Sequence, residues 1–323
     1  MKAFVIEEYG PIDVLQMKEI PDPQAREGWV LIDIKAFGLN RSELYTRQGH
    51  SGDAVTVPRV LGIECVGVVV DGGNTDLKPG QKVAAAMGNM GRLYDGGYAE
   101  KTLIPRSNVF PFESDLDWEI LGALPETYLT AWGVIHEAIG LKPNTSLLIR
   151  GGTSSVGLAA ASIARDMGCT VFSTTRKEAK RKVLEAAGVD HVLIDHGSVE
   201  NEVKDVLPEG VAGVIELVGI ENTIMDCLQS TAPKGTVGMV GFLGNVWDYK
   251  FFPWMPSTVK LTLYSSETLH TDYASPVMQT IVDKVASGSY LPNIHEVFPF
   301  EKLRDAHYTM ENNLAAGKLV IKV

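Results

Sequence analysis

SLLIRGGTSSVGLAAASIARDMG, residues 146–168, is the stretch from which the fold follows. An apolar run enters a cluster of small residues and emerges as an apolar stretch of helical period, which describes a strand turning sharply into a helix. Gly151 suits the tight turn, Ser154 the place where backbone approaches a diphosphate, and Gly157 the packing of helix against sheet. Ser155 and Val156 follow at the helix start, where unpaired amides favour negative charge. The spacing matches a dinucleotide-binding turn with serine at the middle position. A glycine pattern alone says little; here a strand precedes it, a helix follows, and a second strand, TVFSTT at 170–175, comes at the right distance.

The end of that second strand separates the two nicotinamide cofactors. A carboxylate there would accept from the adenosine ribose hydroxyls and repel a 2'-phosphate. This chain has none: Ser173, Thr174, Thr175, Arg176 and Lys177 are followed by Lys180, Arg181 and Lys182. Hydroxyls and cations are offered where the extra phosphate would lie. NADPH/NADP is therefore expected over NADH/NAD, with Ser173, Thr174, Arg176 and Lys180 as the contacts. The bland reading of this run is a solvated basic helix face, and some of Lys177, Arg181 and Lys182 belong to it.

Outward from the turn, the texture divides the chain. Residues 170–242 alternate buried-type strands with helical runs (KEAKRKVLEAAG, HVLID, GVIELVG, TVGMVGF), the signature of a parallel sheet covered on both faces. Before residue 112, short alternating runs such as WVLIDIKAFGL and ECVGVVVDGG are punctuated by PDP, KPG and GG turns, as in antiparallel sheets. The change comes near residue 118, where EILGALPETYLTAWGVIHEAIG takes up helical spacing and stops at Gly140. The tail ends in KLVIKV, a strand that would return to the first domain. The expected fold is α/β: a mostly antiparallel β domain over 1–118 and 290–323, and a doubly wound parallel sheet over 119–289. Residues 244–257, with two Trp, two Phe and a Tyr, have no clear period; they suit a packed connection, a cleft wall or a subunit contact.

Composition agrees with an enzyme built of sheets. The chain has 323 residues, 45% of them hydrophobic and 21% charged, enough apolar side chain for large cores. A net charge of -11 argues against nucleic acid as a partner. Three widely spaced cysteines, Cys65, Cys169 and Cys227, offer neither a disulfide framework nor a zinc knuckle and suit reduced thiols in the cytoplasm. No apolar run has the length of a membrane span or a signal segment.

The stretches FGLNRSELYTRQG, PRVLGIECVGVV, LKPGQKVAA, GGYAEKTLIP, ALPETYLTAWGVI, GGTSSVG and GKLVIKV, in this order, resemble the quinone oxidoreductase branch of the medium-chain dehydrogenase/reductase superfamily over nearly the whole chain. The resemblance implies a GroES-like barrel, a Rossmann domain with a cleft between them, and a homodimer or tetramer. It places Asn40 beside the nicotinamide, Tyr45 and Arg47 at neighbouring cleft or cofactor positions, and Thr130 near the diphosphate and ribose. His196 stands near the adenosine position, and the backbone of Val218, Gly219, Gly241 and Phe242 lines the nicotinamide half. Asn313 stands where some relatives carry an arginine, which leaves the 2'-phosphate to Arg176 and Lys180. The zinc-ligand positions of related alcohol dehydrogenases fall on Asn40, Ile63 and Glu126, a poor set for zinc, so no metal is expected. Glu64, Glu126 and His50 are the remaining imaginable donors, with buried hydrogen bonding the plainer role for them.

The reaction so implied is hydride transfer from NADPH to a small apolar quinone, with Asn40 and Tyr45 binding the substrate oxygen and no dedicated acid. Reduction of the carbon-carbon double bond of an enal or enone uses the same cofactor residues. A structural or sensor protein that binds NADPH with little turnover is the alternative outside enzymology.

Overall fold

The computed structural model describes residues 1–241, 243–244, 255–266 and 271–323, with backbone alone for 271–273. It falls into two compact units, Met1–Leu129 with Ser266–Gly288 and Ile294–Val323, and Thr130–Ser265 with Ser289–Asn293. The first unit begins with strands β1 (Lys2–Ile6), β2 (Gln16–Glu19) and β3 (Trp29–Gly38), then helix α1 (Arg41–Arg47). Strands β4 (Arg59–Val60), β5 (Glu64–Asp71), β6 (Lys82–Ala86), β7 (Lys101–Pro105) and β8 (Val109–Pro111) follow, then helices α2 (Trp118–Leu121) and α3 (Pro125–Gly133). β1 lies between β2 and β4, while β3, β5, β6 and β8 form an antiparallel run with β7 paired to β3. Alternation in β3 sends Val30, Ile32 and Ile34 into a core shared with Phe4, Phe37, Cys65 and Tyr98.

The second unit holds β9 (Ser146–Arg150), α4 (Ser155–Asp166), β10 (Thr170–Thr175), α5 (Arg181–Ala186), β11 (His191–Ile194), α6 (Glu200–Val206), β12 (Val211–Glu216), α7 (Glu221–Gln229), β13 (Thr231–Met239) and β14 (Lys260–Leu263). Every pairing in its six-stranded sheet is parallel, in the order β11-β10-β9-β12-β13-β14. The chain winds outward from β9 in both directions, so the strand order reverses between β9 and β12. A crevice opens beyond the carboxyl ends at such a reversal, and that is where ligands of doubly wound sheets bind.

The chain then returns to the first unit through α8 (Thr271–Ala286), β15 (Ile294–Pro299), α9 (Leu303–Glu311) and β16 (Lys318–Lys322). β16, the strand expected of KLVIKV, pairs antiparallel with β3 and carries β15 on its other side.

The boundaries differ from those expected. The first unit extends to Leu129 because Gly122 lets α2 sit on the barrel; a Cβ there would lie 2.8 Å from that of Ala36 and 3.3 Å from Val320 Cγ1. Helix α8 groups with the first unit and not with the parallel sheet. Its Gln279 accepts from the Glu113 amide at 2.8 Å and donates to the Glu113 carbonyl at 3.0 Å, just beyond β8. The single helical run expected up to Gly140 is broken at Pro125, and after α3 it widens into a π-helical turn, Val134–Ile139. Gly140 ends it at a φ of 64°.

Candidate functional site

In the second unit the turn after β9 is built as a cradle. Gly151 has a φ of 87°, a left-handed conformation that side chains resist. Ser154 caps α4: its Oγ accepts from the Gly157 amide at 3.1 Å and donates to the Gly151 carbonyl at 2.9 Å. Gly157 sits so close to the turn that a Cβ would come 2.7 Å from the Gly152 carbonyl oxygen. With the Gly157 amide bound by Ser154 and the Leu158 amide by the Ser154 carbonyl, the amides of Ser155 and Val156 stand first in the helix, ahead of any turn that could supply acceptors. Both residues are part-exposed. Tight turn, close helix and forward-facing amides fit a diphosphate.

Beyond β10 the cations gather. Arg176 and Lys177 are exposed and Lys180 is half-buried. Burial first, then the charges of Lys177 and Arg176, push the Lys180 ammonium below its ordinary pKa, the sign of a crowded cationic site suited to an anion. Arg181 is spent elsewhere, on Glu178 and on the Val192 carbonyl at 3.1 Å. Ser173 and Thr174 lie against the turn itself. Ser173 is wholly enclosed, and a Cβ on Gly152 would strike its Oγ. Thr174 is equally buried and its Oγ1 accepts from the Gly151 amide at 3.0 Å. As strand neighbours the two face opposite sides of the sheet, Ser173 against Gly152 and Thr174 against the Gly151 amide, so the turn is held by both. His196 is exposed beside Asp195. Thr130 is buried in α3.

Two buried carboxylate networks that sequence reasoning missed hold the loops around this turn. Glu216, at the end of β12, accepts from the Val218 amide at 3.0 Å, the Gly219 amide at 2.8 Å and Thr223 Oγ1 at 2.9 Å, and its burial raises its pKa to about 7. It shapes the backbone of Val218 and Gly219. Gly241 lies so close under that loop that a Cβ would lie 2.8 Å from Leu217 Cα. Phe242 and the aromatic residues 246–254 lie outside the described residues. Arg150, fully buried at the end of β9, pairs with both oxygens of Asp195 at 2.8 and 2.9 Å and with Asp226, which in turn receives the Val199 and Glu200 amides at the start of α6. The Glu216 contacts fall within seven residues of it, whereas Arg150 meets Asp195 across 45 residues and Asp226 across 76, which no local pattern marks.

In the first unit Asn40 ends β3's excursion and caps α1. Its side-chain Nδ2 donates to Glu64 Oε1 at 2.8 Å, and its Oδ1 accepts from Lys318 Nζ at 2.7 Å. Lys318 also binds Glu64 Oε1 at 2.6 Å, and Glu64 Oε2 accepts from the Glu126 amide at 2.9 Å. Glu64 and Lys318 are buried; Asn40 is part-exposed. Tyr45, one turn along α1, is half-buried against the core, and burial raises its phenol pKa. Arg47 is fully buried and paired with Glu311 at 2.9 Å.

The positions that could hold zinc do not suit it. Ile63 has no donor, the Asn40 carbonyl oxygen and Glu64 are bound to an ammonium, and Glu126 Oε1 takes the Ser266 hydroxyl at 2.6 Å. His50 is exposed, with its ring against Tyr45. Among the described residues no three His, Cys, Asp or Glu side chains gather as a metal site.

Beneath α1 lies a second polar cluster. Glu43 accepts from the Asn40 amide at 2.7 Å, the Ile63 amide at 2.8 Å and Tyr98 Oη at 2.6 Å, and Tyr98 Oη lies 3.0 Å from His307 Nε2. Since the phenol donates to Glu43, His307 donates through Nε2 and its Nδ1 carries no proton. Burial first, then Arg47, lower the His307 pKa to about 3.

Comparison with known proteins bears on both units. A family model described as an alcohol dehydrogenase GroES-like domain matches residues 26–114, and one described as a zinc-binding dehydrogenase matches 155–283, together more than half of the chain. Human quinone oxidoreductase is 27% identical over 330 residues, covering 99% of this chain and 97% of that protein. The synaptic vesicle membrane protein VAT-1 homolog of Danio rerio is 25% identical over 347 residues, covering 99% of this chain and 69% of its own. The structure of a mycobacterial protein complexed with NADPH superposes with a TM-score of 0.86 at 25% identity, covering 100% of both chains.

Proposed function

Because the chain belongs to the medium-chain dehydrogenase/reductase superfamily, in its quinone oxidoreductase branch, and is an oxidoreductase of that class, we propose that it reduces a small apolar quinone with NADPH and without zinc. The observation that carries this reading is the Gly151–Gly157 cradle at the strand reversal with Arg176, Lys177 and Lys180 gathered beyond β10. NADPH, when bound, supplies a hydride at C4 of its nicotinamide ring. Ser154 and the α4 amides hold the diphosphate, Arg176 and Lys180 the 2'-phosphate, and the Val218–Gly219 backbone the nicotinamide end. Asn40 Nδ2 donates to the substrate oxygen on which charge develops, while Tyr45 helps to line the same face. An amide cannot give up a proton at neutral pH, so water protonates the quinol oxygen.

Edge strand β14, which among the described residues pairs only with β13 and exposes Leu263, is the surface on which two copies would form a homodimer. No helix among the described residues is long and apolar enough to cross a membrane. The three cysteines are buried and unpaired with one another, which suits the reducing cytoplasm.

Paired titrations with NADPH and NADH, followed by a panel of quinones, enals and enones with product analysis, test the reading. Tighter NADPH binding and acceptor-dependent oxidation with quinones at the head of the panel are expected. Enals or enones at its head would move the substrate to conjugated double bonds. Binding with no oxidation by any acceptor would overturn the enzyme reading in favour of a sensor.

A further inference from the structure

The environment of Asn40 is more elaborate than a substrate-binding amide requires. Its oxygen faces the Lys318 ammonium and its nitrogen the Glu64 carboxylate, at 2.7 and 2.8 Å. Turning the amide over would set NH2 against the ammonium and oxygen against the carboxylate, exchanging two charge-assisted attractions for two repulsions. One orientation is thus imposed from both ends. The ion pair that imposes it is closed to solvent, with Lys318 1% and Glu64 0% exposed, and the fold makes room for it at Gly38. A Cβ there would collide with Lys318 Cε and come 2.7 Å from Glu64 Oε1. The register of β16 on β3, Val320 opposite Gly38, brings the lysine into that space.

Among the described residues only one Nδ2 hydrogen of Asn40 has an acceptor, so the second is left for a ligand at the part-exposed side of the amide. An ammonium on the amide oxygen also draws electron density from the nitrogen and strengthens that remaining donor. We propose that Lys318, with Glu64 as its counter-charge, is a positioning residue that locks and polarises Asn40 as the donor to the oxygen being reduced. This rests on the proposed role of Asn40 in the reductase. It assigns the C-terminal strand a part in the reaction through the amide, and no contact with substrate.

The test removes both charges together, since a lone buried charge would unfold the barrel for reasons of its own. Lys318→Met/Glu64→Gln is compared with wild type, and again in an Asn40→Ala background. The double variant should lose about 10- to 100-fold in kcat, short of or equal to the loss of one oxyanion donor, with acceptor KM changed less than about threefold and NADPH affinity unmoved. In the Asn40→Ala background the same pair should cost nothing further, because it acts through the missing amide. A purely structural pair would lower kcat by the same factor in both backgrounds, and that result overturns the proposal. So does unchanged kcat in a double variant whose Tm matches wild type.

A second measurement does not depend on turnover. The Asn40 side-chain amide resonances, identified by their loss in Asn40→Asp, should shift and exchange faster in the double variant. Unchanged resonances refute the lock even if the wild type turns over; shifted resonances in a wild type with no acceptor activity keep the lock and sink the reductase reading instead.

Discussion

Replacing Arg176 and Lys180 by alanine together separates the two nicotinamide cofactors. Arg176 is exposed, where an ion pair with a phosphate contributes about 0.2–1 kcal/mol. Lys180 is half-buried and already pressed below its usual pKa by burial and by its cationic neighbours, so a dianion beside it would form a charge-assisted hydrogen bond of about 1.5–3 kcal/mol. Together they amount to about 1.7–4 kcal/mol, or a roughly 20- to 900-fold weaker NADPH complex. NADH lacks the phosphate and should bind within about twofold of its wild-type affinity. Quenching of protein fluorescence, titrated at fixed ionic strength, gives both constants, and raising the salt should weaken NADPH in the wild type more than in the variant. Arg181→Ala is the internal control, because that guanidinium is held by Glu178 and the Val192 carbonyl and should leave both affinities alone. Equal weakening of NADPH and NADH, or none of NADPH, would refute the placement of the phosphate beyond β10.

Three further outcomes follow from the buried geometry. Gly157→Ala forces a Cβ against the Gly152 backbone and should cost about 1–3 kcal/mol in urea unfolding and weaken NADPH and NADH alike, since both carry the diphosphate; unaltered unfolding would mean the turn yields. Arg150→Met leaves Asp195 and Asp226 buried without their cation and should lose about 3–5 kcal/mol, read from the urea midpoint, whereas a loss under about 1 kcal/mol would show the carboxylates rearranging to water. For His307, the folded pKa of about 3 lies below the ordinary 6.5, so the unfolded chain binds a proton in that window that the folded chain refuses. Its contribution is complete above about pH 6.5 and lost as pH falls toward 3; at pH 5 the loss is about 2 kcal/mol relative to His307→Gln, and parallel pH profiles for the two proteins would contradict the buried neutral ring.

What the sequence disclosed and what it hid divide along a physical line. The turn from Gly151 to Gly157 was legible because its signal is local: an apolar strand, small residues where backbone must approach, and a helical period, all within one short stretch. The parallel sheet followed from strand and helix alternation, and the last strand from the short apolar run in KLVIKV. Hidden were the consequences of pairing at a distance. Asn40 meets Lys318 across 278 residues and Glu64 across 24, and only the register of three strands places them together. The packing of Ser173 and Thr174 against Gly152 and Gly151 was hidden for the same reason, since it depends on how the turn folds back over β10. Helix α8 carried a sound helical pattern but no mark of which unit it would join.

That the ammonium of the Asn40 cluster arrives on β16 sets a schedule for protein synthesis. Lys318 leaves the ribosome 254 residues after Glu64, roughly 10–50 s later at about 5–20 residues per second. The whole parallel sheet is translated before the cation that pairs with Glu64 exists. A chain stalled short of residue 318 would thus contain every residue of the glycine cradle and lack the cation that orients Asn40.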